Sequence, residues 1–275
     1  MDILSKITPA ETLLLKYGSS AELKDLMKYT FMDLLLKQVI KIDKVDRKVH
    51  PNDKYIRSYT YIVAGENLKK YKYNKHELIF LSPFLKSKSI QILFKNYFKM
   101  VFDLSKGSWS YKKLVRSSEN IYPYFKSHFW AKLFRAIILT DKGALVRNDI
   151  VAYLNDLDRG IDKLMHDDKQ KGLEVLLRIG GNVFLLKNLD FEFFKNIDKS
   201  FISHQKTLTN NSDDTYIYWW VYSDDDNFDN VFDLISGGFD DVLESFDSEF
   251  DANSCSSWDN DSSGCNSCDG CGGCD

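Results

Sequence analysis

Every cysteine of this 275-residue chain lies near its end: Cys255, then Cys265, Cys268, Cys271 and Cys274 in a C-x-x-C-x-x-C-x-x-C run. Thiolates three residues apart can converge on one soft metal ion, and the Gly, Ser and Asn residues between them allow the tight turns that convergence requires. Zinc or copper(I) suits such a set, with Cys265, Cys268, Cys271 and Cys274 as ligands and Cys255 as a further donor. The first 254 residues hold no cysteine. Thiol chemistry is therefore confined to one short stretch.

The run Ser-Ser-Gly-Cys-Asn-Ser-Cys-Asp-Gly-Cys-Gly-Gly-Cys-Asp resembles the Gly/Cys-rich ends of uncharacterised bacterial proteins and of ribosomally made precursor peptides. That resemblance implies a tail presented for modification, with a tail-modifying enzyme as partner; a flexible tail without a fixed role has the same composition. The C-x-x-C-x-x-C part is also similar to the start of a bacterial ferredoxin cluster site. The fourth cysteine comes one residue too early, however, no proline follows it, and no apolar shell is encoded around it. Metal capture fits the sequence better than electron transfer.

Other chemistry has less behind it. His50, His76, His128, His166 and His204 form no i,i+4 pair and receive no role. No G-x-S-x-G elbow is present, and Gly180-Gly181-Asn182 lacks the spaced glycines and following Lys-Ser/Thr of a phosphate loop. Asp225-x-Asn227-x-Asp229 and Asp259-x-Asp261-x-Ser263-Gly264 each carry half of a calcium loop and miss the closing Glu. No complete catalytic motif supports an enzyme.

Charge divides the chain. Beyond Lys206 there is no basic residue, and residues 207–275 carry 15 Asp and 2 Glu. Taking those 17 from the 40 acidic side chains leaves 23 against 37 basic ones in the first 206 residues, a net charge of +14. A basic body with an acidic end meets an anionic partner, or folds its end back onto itself. The N-terminus lacks the basic and apolar regions of a secretory signal, and no run reaches the roughly 18 apolar residues of a membrane span. A cytoplasmic protein with reduced thiols and no membrane partner is the expectation.

The elements that must position the tail begin with a capping box at Thr8-Pro9-Ala10-Glu11, which opens a helix closed by Gly18. A second box, Ser19-x-x-Glu22, predicts a short helix through Leu26, and Tyr29 to Gln38 a third. Val39 to Ile42 and Tyr55 to Val63 read as strands around a turn at His50-Pro51-Asn52-Asp53. Three helices followed by two strands resemble the element order of a winged helix-turn-helix, a fold that often binds DNA. Here only Gln38 could read a base edge, so the resemblance implies a docking or structural module at 1–67 more than a sequence reader.

A helical second domain is expected at 74–201. Within it, a helix spans Lys75 to Leu81 and stops at Ser82-Pro83, a long helix runs from Ser89 to Leu104, and others cover Tyr111 to Ser117 and Tyr122 to Arg135. Ile137 to Gly143 resembles the strand and turn that start a wing, which implies a second, degenerate winged helix at 74–147. Ile150, Leu154, Leu157, Ile161 and Leu164 mark a further helix that starts at Asn148 or Asp149, and Asp168 to Ile179 another. Residues 213–250 form an acidic aromatic segment with a strand at 215–222, whose spaced aromatics could dock on a basic apolar groove of the body. Residues 251–275 are expected to be disordered.

The fold class read from the chain is thus mainly α with small β wings, that is α+β, ending in an acidic Cys-rich tail. The function expected is a non-enzymatic cytosolic binding or scaffold protein, with a protein partner, whose tail binds a soft metal or is presented for modification. The alternative is a nucleic-acid-binding regulator with an autoinhibitory acidic tail.

Overall fold

A computed structural model describes residues 3–48, 50, 54–126, 135–187 and 239–256. They are mostly helical, with one small antiparallel sheet, an α+β arrangement. Helix α1 (Pro9–Tyr17) begins as its sequence dictates: the Thr8 hydroxyl accepts from Glu11 N–H at 3.3 Å, the Glu11 carboxylate accepts from Thr8 N–H at 2.6 Å, and Pro9 occupies the first turn. Residues 9 to 15 of α1 are all buried. This helix is the axis of the molecule, in contact with the helices at Leu23–Leu36, Ser108–Arg116 and Asp141–Asp167 and with a 3-10 turn at Gly180–Leu185.

The second and third helices expected from the sequence are one. Gly18–Ser20 is a 3-10 turn, and α2 runs unbroken over Leu23–Leu36. Ser19 does not cap it; its hydroxyl instead accepts from Ile137 N–H. Thr30, at the start of the third helix read from the sequence, lies inside α2 with its hydroxyl on the Leu26 carbonyl at 2.7 Å, the back-bond that a mid-helix threonine can make.

Strands β1 (Ile40–Arg47) and β2 (Arg57–Ala64) pair antiparallel from Ile40 opposite Ala64 to Arg47 opposite Arg57. Ile40 and Ile62 are fully buried, whereas the far end of the hairpin is exposed. A third strand, β3 (Gln91–Leu93), adds to the free edge of β2 through Tyr61–Leu93, Ile62–Ile92 and Val63–Gln91. Those three residues were read as the start of a long helix. The edge of β2 claims them, and α4 begins only at Phe94 (Phe94–Ser105). Between the sheet strands, α3 covers Leu78–Lys86 and continues through Pro83, where a stop was expected. Proline removes the hydrogen bond to the Ile79 carbonyl, and the Ser82 hydroxyl reaches that carbonyl at 3.4 Å instead.

Helix α5 (Ser108–Arg116) follows, then a 3-10 turn at Tyr122–Tyr124 in place of the first part of the helix expected to Arg135; residues 127–134 lie outside the described residues. The run from Ile137 to Gly143 forms neither a wing strand nor a turn. Leu139 makes one bridge with Phe125, and Thr140 caps α6 (Asp141–Asp167), its hydroxyl accepting from Gly143 N–H at 3.0 Å. Glycine is needed there because a Cβ on Gly143 would fall 2.2 Å from the Tyr124 carbonyl oxygen. Thr140 and Gly143 of that run encode a helix start, seven residues before the earlier of the two starts expected, Asn148 and Asp149. Helix α7 (Lys169–Ile179) packs against α6.

Helix α8 (Phe239–Ser256) is the one part of the acidic end among the described residues, and the expected boundary of disorder at 251 falls inside it. The strand read at 215–222, both half calcium loops and residues 191–197, where Asp190 as a cap predicts a helix, lie outside the described residues. Buried side chains from Leu4 to Phe246 form one apolar cluster, so α8 shares the core of the body. No described helix is long and apolar enough to cross a membrane.

Candidate functional site

Two places on α2 combine chemistry with position. The first is a groove between α2 and α4 that receives α8. Helical spacing puts Leu243, Phe246 and Phe250 on one face of α8. Phe246 is fully buried, its ring 4.7 Å from that of Phe98 and edge-on to it, and stacked 6.1 Å from Phe31. Phe250 meets Phe102 edge-on at 5.3 Å. Two lysines border the aromatic row: Lys28 Nζ reaches Asp247 at 2.8 Å, and Lys24 Nζ reaches Asp251 at 3.0 Å and Asp247 at 3.6 Å. Lysines and aspartates are each four residues apart, one helical turn on either side, so both pairs meet in register. Burial acts against the Lys24 charge, but Asp251 and Asp247 outweigh it and raise its pKa.

The second place is a cluster of ionisable groups inside the body. Glu11 comes from α1, Asp33 and Lys37 from α2 and its end, and Tyr71, His76 and Glu77 from the segment before α3; Glu11, Asp33, His76 and Glu77 are almost wholly excluded from solvent. Lys37 donates to Asp33 Oδ2 at 2.7 Å and to the Tyr71 hydroxyl at 3.3 Å, and Tyr71 donates to Glu77 Oε1 at 2.6 Å. Asn74 N–H closes on the other oxygen of Glu77. Burial pushes Glu11 up to about 7, with Glu77 adding to the rise and the Ser118 and Thr8 groups opposing it. Burial likewise pushes Asp33 up to about 6, although Lys37 draws it back, and Glu77 is raised for the same reason. Burial lowers His76 to about 3, and the Lys37 charge adds to the effect, so the ring is neutral. Neither of its nitrogens has a hydrogen-bond partner among the described residues, and the ring meets Tyr111 edge-on at 6.4 Å.

Asn182 and Gly181 seal this cluster. The Asn182 amide donates to the carbonyls of Leu4, Ile7 and Ile179 at 2.9, 2.9 and 3.2 Å and accepts from the Thr12 hydroxyl at 2.6 Å. Gly181 lies so close to Asp33 that a Cβ would fall 2.0 Å from its Oδ1. The Gly-Gly-Asn sequence therefore seats the turn after α7 on α1 and α2. Chemically the cluster can hold or release protons near neutrality. It brings together no group of three His, Cys, Asp or Glu able to hold a metal, and none occurs elsewhere among the described residues.

The thiols read as ligands fall differently. Cys255 is the penultimate residue of α8, while Cys265, Cys268, Cys271 and Cys274 lie outside the described residues. Sequence reasoning passed over Asp33, Lys37, His76 and Glu77. One signal was available: Asp33, inside the apolar run Phe31 to Leu36, forms an i,i+4 pair of opposite charge with Lys37 just beyond it.

No family model matches this chain, and no curated protein or solved structure matches it.

Proposed function

We propose that this chain is a non-enzymatic, cytoplasmic binding or scaffold protein that holds a metal-capturing thiol tail on a basic body. The observation that carries the reading is the seating of α8: Phe246 and Phe250 anchor it in the α2/α4 groove and Lys24 and Lys28 pair with its aspartates, with Cys255 in its last turn. Cys255 thus sits on an anchored helix, and the run from Cys265 to Cys274 follows it in the sequence. Zinc or copper(I) is the ion class. The β1–β2 hairpin that follows α1 and α2 is the wing of a winged-helix-like N-terminal body that lacks a separate third helix and docks a protein partner, such as an enzyme that modifies the tail.

Deleting residues 257–275 tests this. The shortened chain keeps its helical circular dichroism and loses zinc or copper(I) uptake in a competition titration against a chromophoric chelator. Equal uptake by both chains rejects the proposal.

One observation favours a second reading. Asp247 and Asp251 occupy two lysines of a strongly basic body, which is how an acidic tail would compete with nucleic acid for the same surface. On that reading Phe246→Ala, which loosens α8, gains salt-dependent affinity for duplex DNA. No binding at low salt rejects it.

A further inference from the structure

We infer that the outer face of the β1–β2 hairpin binds single-stranded nucleic acid, with bases stacked on Tyr59 and Tyr61 and phosphates held by Arg47 and Arg57. Side chains alternate along a strand, which sorts the hairpin into two faces. Ile40, Ile42, Ile62 and Ala64 turn inward and pack with the apolar cluster of the body. The opposite face sets Val45 across from Tyr59, Asp43 across from Tyr61 and Arg47 across from Arg57. Val45, Tyr59 and Tyr61 do not belong to the core cluster. The fold thus has no use for two aromatic rings on this face.

Arg47 shows what the face can take. It is exposed and makes no ion pair among the described residues; its guanidinium lies 5.1 Å from the centre of the Tyr59 ring and donates to the Tyr61 hydroxyl at 3.1 Å. Two tyrosines and an arginine are therefore held together, with the rings about 7 Å apart along β2. Unstacked bases stack on aromatic rings and guanidinium planes, and every base has a π face, so such a platform takes single strands with little regard to sequence. Charge favours the same ligand: Lys44, Lys48, Lys54 and Arg57 are also exposed on and beside the hairpin, within a strongly basic body. Asp43, beside Tyr61, accepts from Gln91 at 3.4 Å and bounds the platform toward β3. An acidic protein segment would answer the charges but not the aromatic spacing. The face is separate from Lys24 and Lys28 of α2, which pair with α8. It adds a ligand to the protein docking proposed for this hairpin and is independent of the thiols.

Fluorescence anisotropy of a labelled oligothymidylate with the full chain tests this, in reductant and chelator and over a range of salt. The wild-type chain should bind the single strand about tenfold more tightly than a duplex of equal length. Tyr59→Leu with Tyr61→Leu should weaken single-strand binding by about tenfold for each ring and leave duplex binding unchanged. Arg47→Gln should lower the affinity and reduce the salt slope by about one. No binding at low salt overturns the inference. Equal affinity for both probes, unchanged in the tyrosine variant, marks mere attraction to a basic body and also overturns it. Binding of labelled polyglutamate without binding of the oligonucleotide assigns the face to an acidic protein and does the same. If the tyrosine variant misfolds by circular dichroism, ultraviolet cross-linking of the wild-type complex decides. Oligothymidylate attached within residues 57–63 supports the inference, and attachment only elsewhere overturns it.

Discussion

Helix α2 serves two regions built on opposite principles. Toward α1 it presents Asp33 and Lys37 to a cluster from which water is excluded and in which Asn182 alone satisfies four partners. Toward α8 it presents Phe31, Lys24 and Lys28 to a contact whose apolar centre is sealed and whose charged rim is open. Buried polar groups are costly to leave unpaired, so the first region breaks only with the body itself. Partly exposed ion pairs are individually weak, so the second region is held by its phenylalanines and tuned by salt. The comparison separates what holds the fold from what can be released.

The largest expected effect is in the groove. Phe246→Ala removes the fully buried ring of α8 and should weaken its docking by about 3–5 kcal/mol. Hydrogen exchange should show α8 opening while α1 and α2 stay protected; loss of protection throughout would mean that α8 is part of the cooperative unit. Asn182→Ala, by contrast, strands three carbonyls and the Thr12 hydroxyl, and should lower the stability of the whole body by about 3 kcal/mol in urea unfolding. A loss confined to α7 and its following turn would make the cluster the looser region.

A smaller effect concerns pH. The folded pKa of Glu11 is raised from 4.5 to about 7, so its contribution is fully present below the unfolded value and is lost as pH rises through that window. Asp33, raised from 3.8 to about 6, acts in the same sense, and His76, lowered from 6.5 to about 3, opposes them below 6.5. Glu11→Gln keeps the cap acceptor and removes one of the two acidic contributions. Relative to wild type it should gain about 2 kcal/mol between pH 5 and pH 8. Parallel stability curves for the two proteins would show that Glu11 ionises freely.

The smallest effect is at the rim. Lys28→Ala should cost α8 docking less than about 1 kcal/mol, and the difference should vanish in high salt. A salt-independent loss would mean that the Lys28 stem packs more than its charge pairs.

Local signals were legible where their partners are close in sequence. The capping box at Thr8 to Glu11, the strands of the β1–β2 hairpin and the amphipathic course of α6 are all readable from neighbouring residues, as is the contrast between a basic body and an acidic end. The fit of an acidic, Phe-bearing segment to a basic groove was readable as chemistry, though neither the groove nor the helical state of 239–256 was. Where the reading failed, a distant partner decided. Gln91 to Leu93 pair with β2 because its edge is open, Ser19 falls in a 3-10 turn ahead of α2 and gives its hydroxyl to Ile137 N–H, and Ser82 compensates a proline that propensity alone would treat as a stop.

By itself, then, the sequence determined composition, charge division, the caps and the confinement of thiols to the end. Only the tertiary structure decided that Glu11, Asp33, Lys37, His76 and Glu77 meet out of water, and that α8 returns to α2 and α4. Capping, pairing in a hairpin and amphipathic periodicity are set over a few residues, whereas desolvation and groove shape arise only when elements far apart in the chain are packed together.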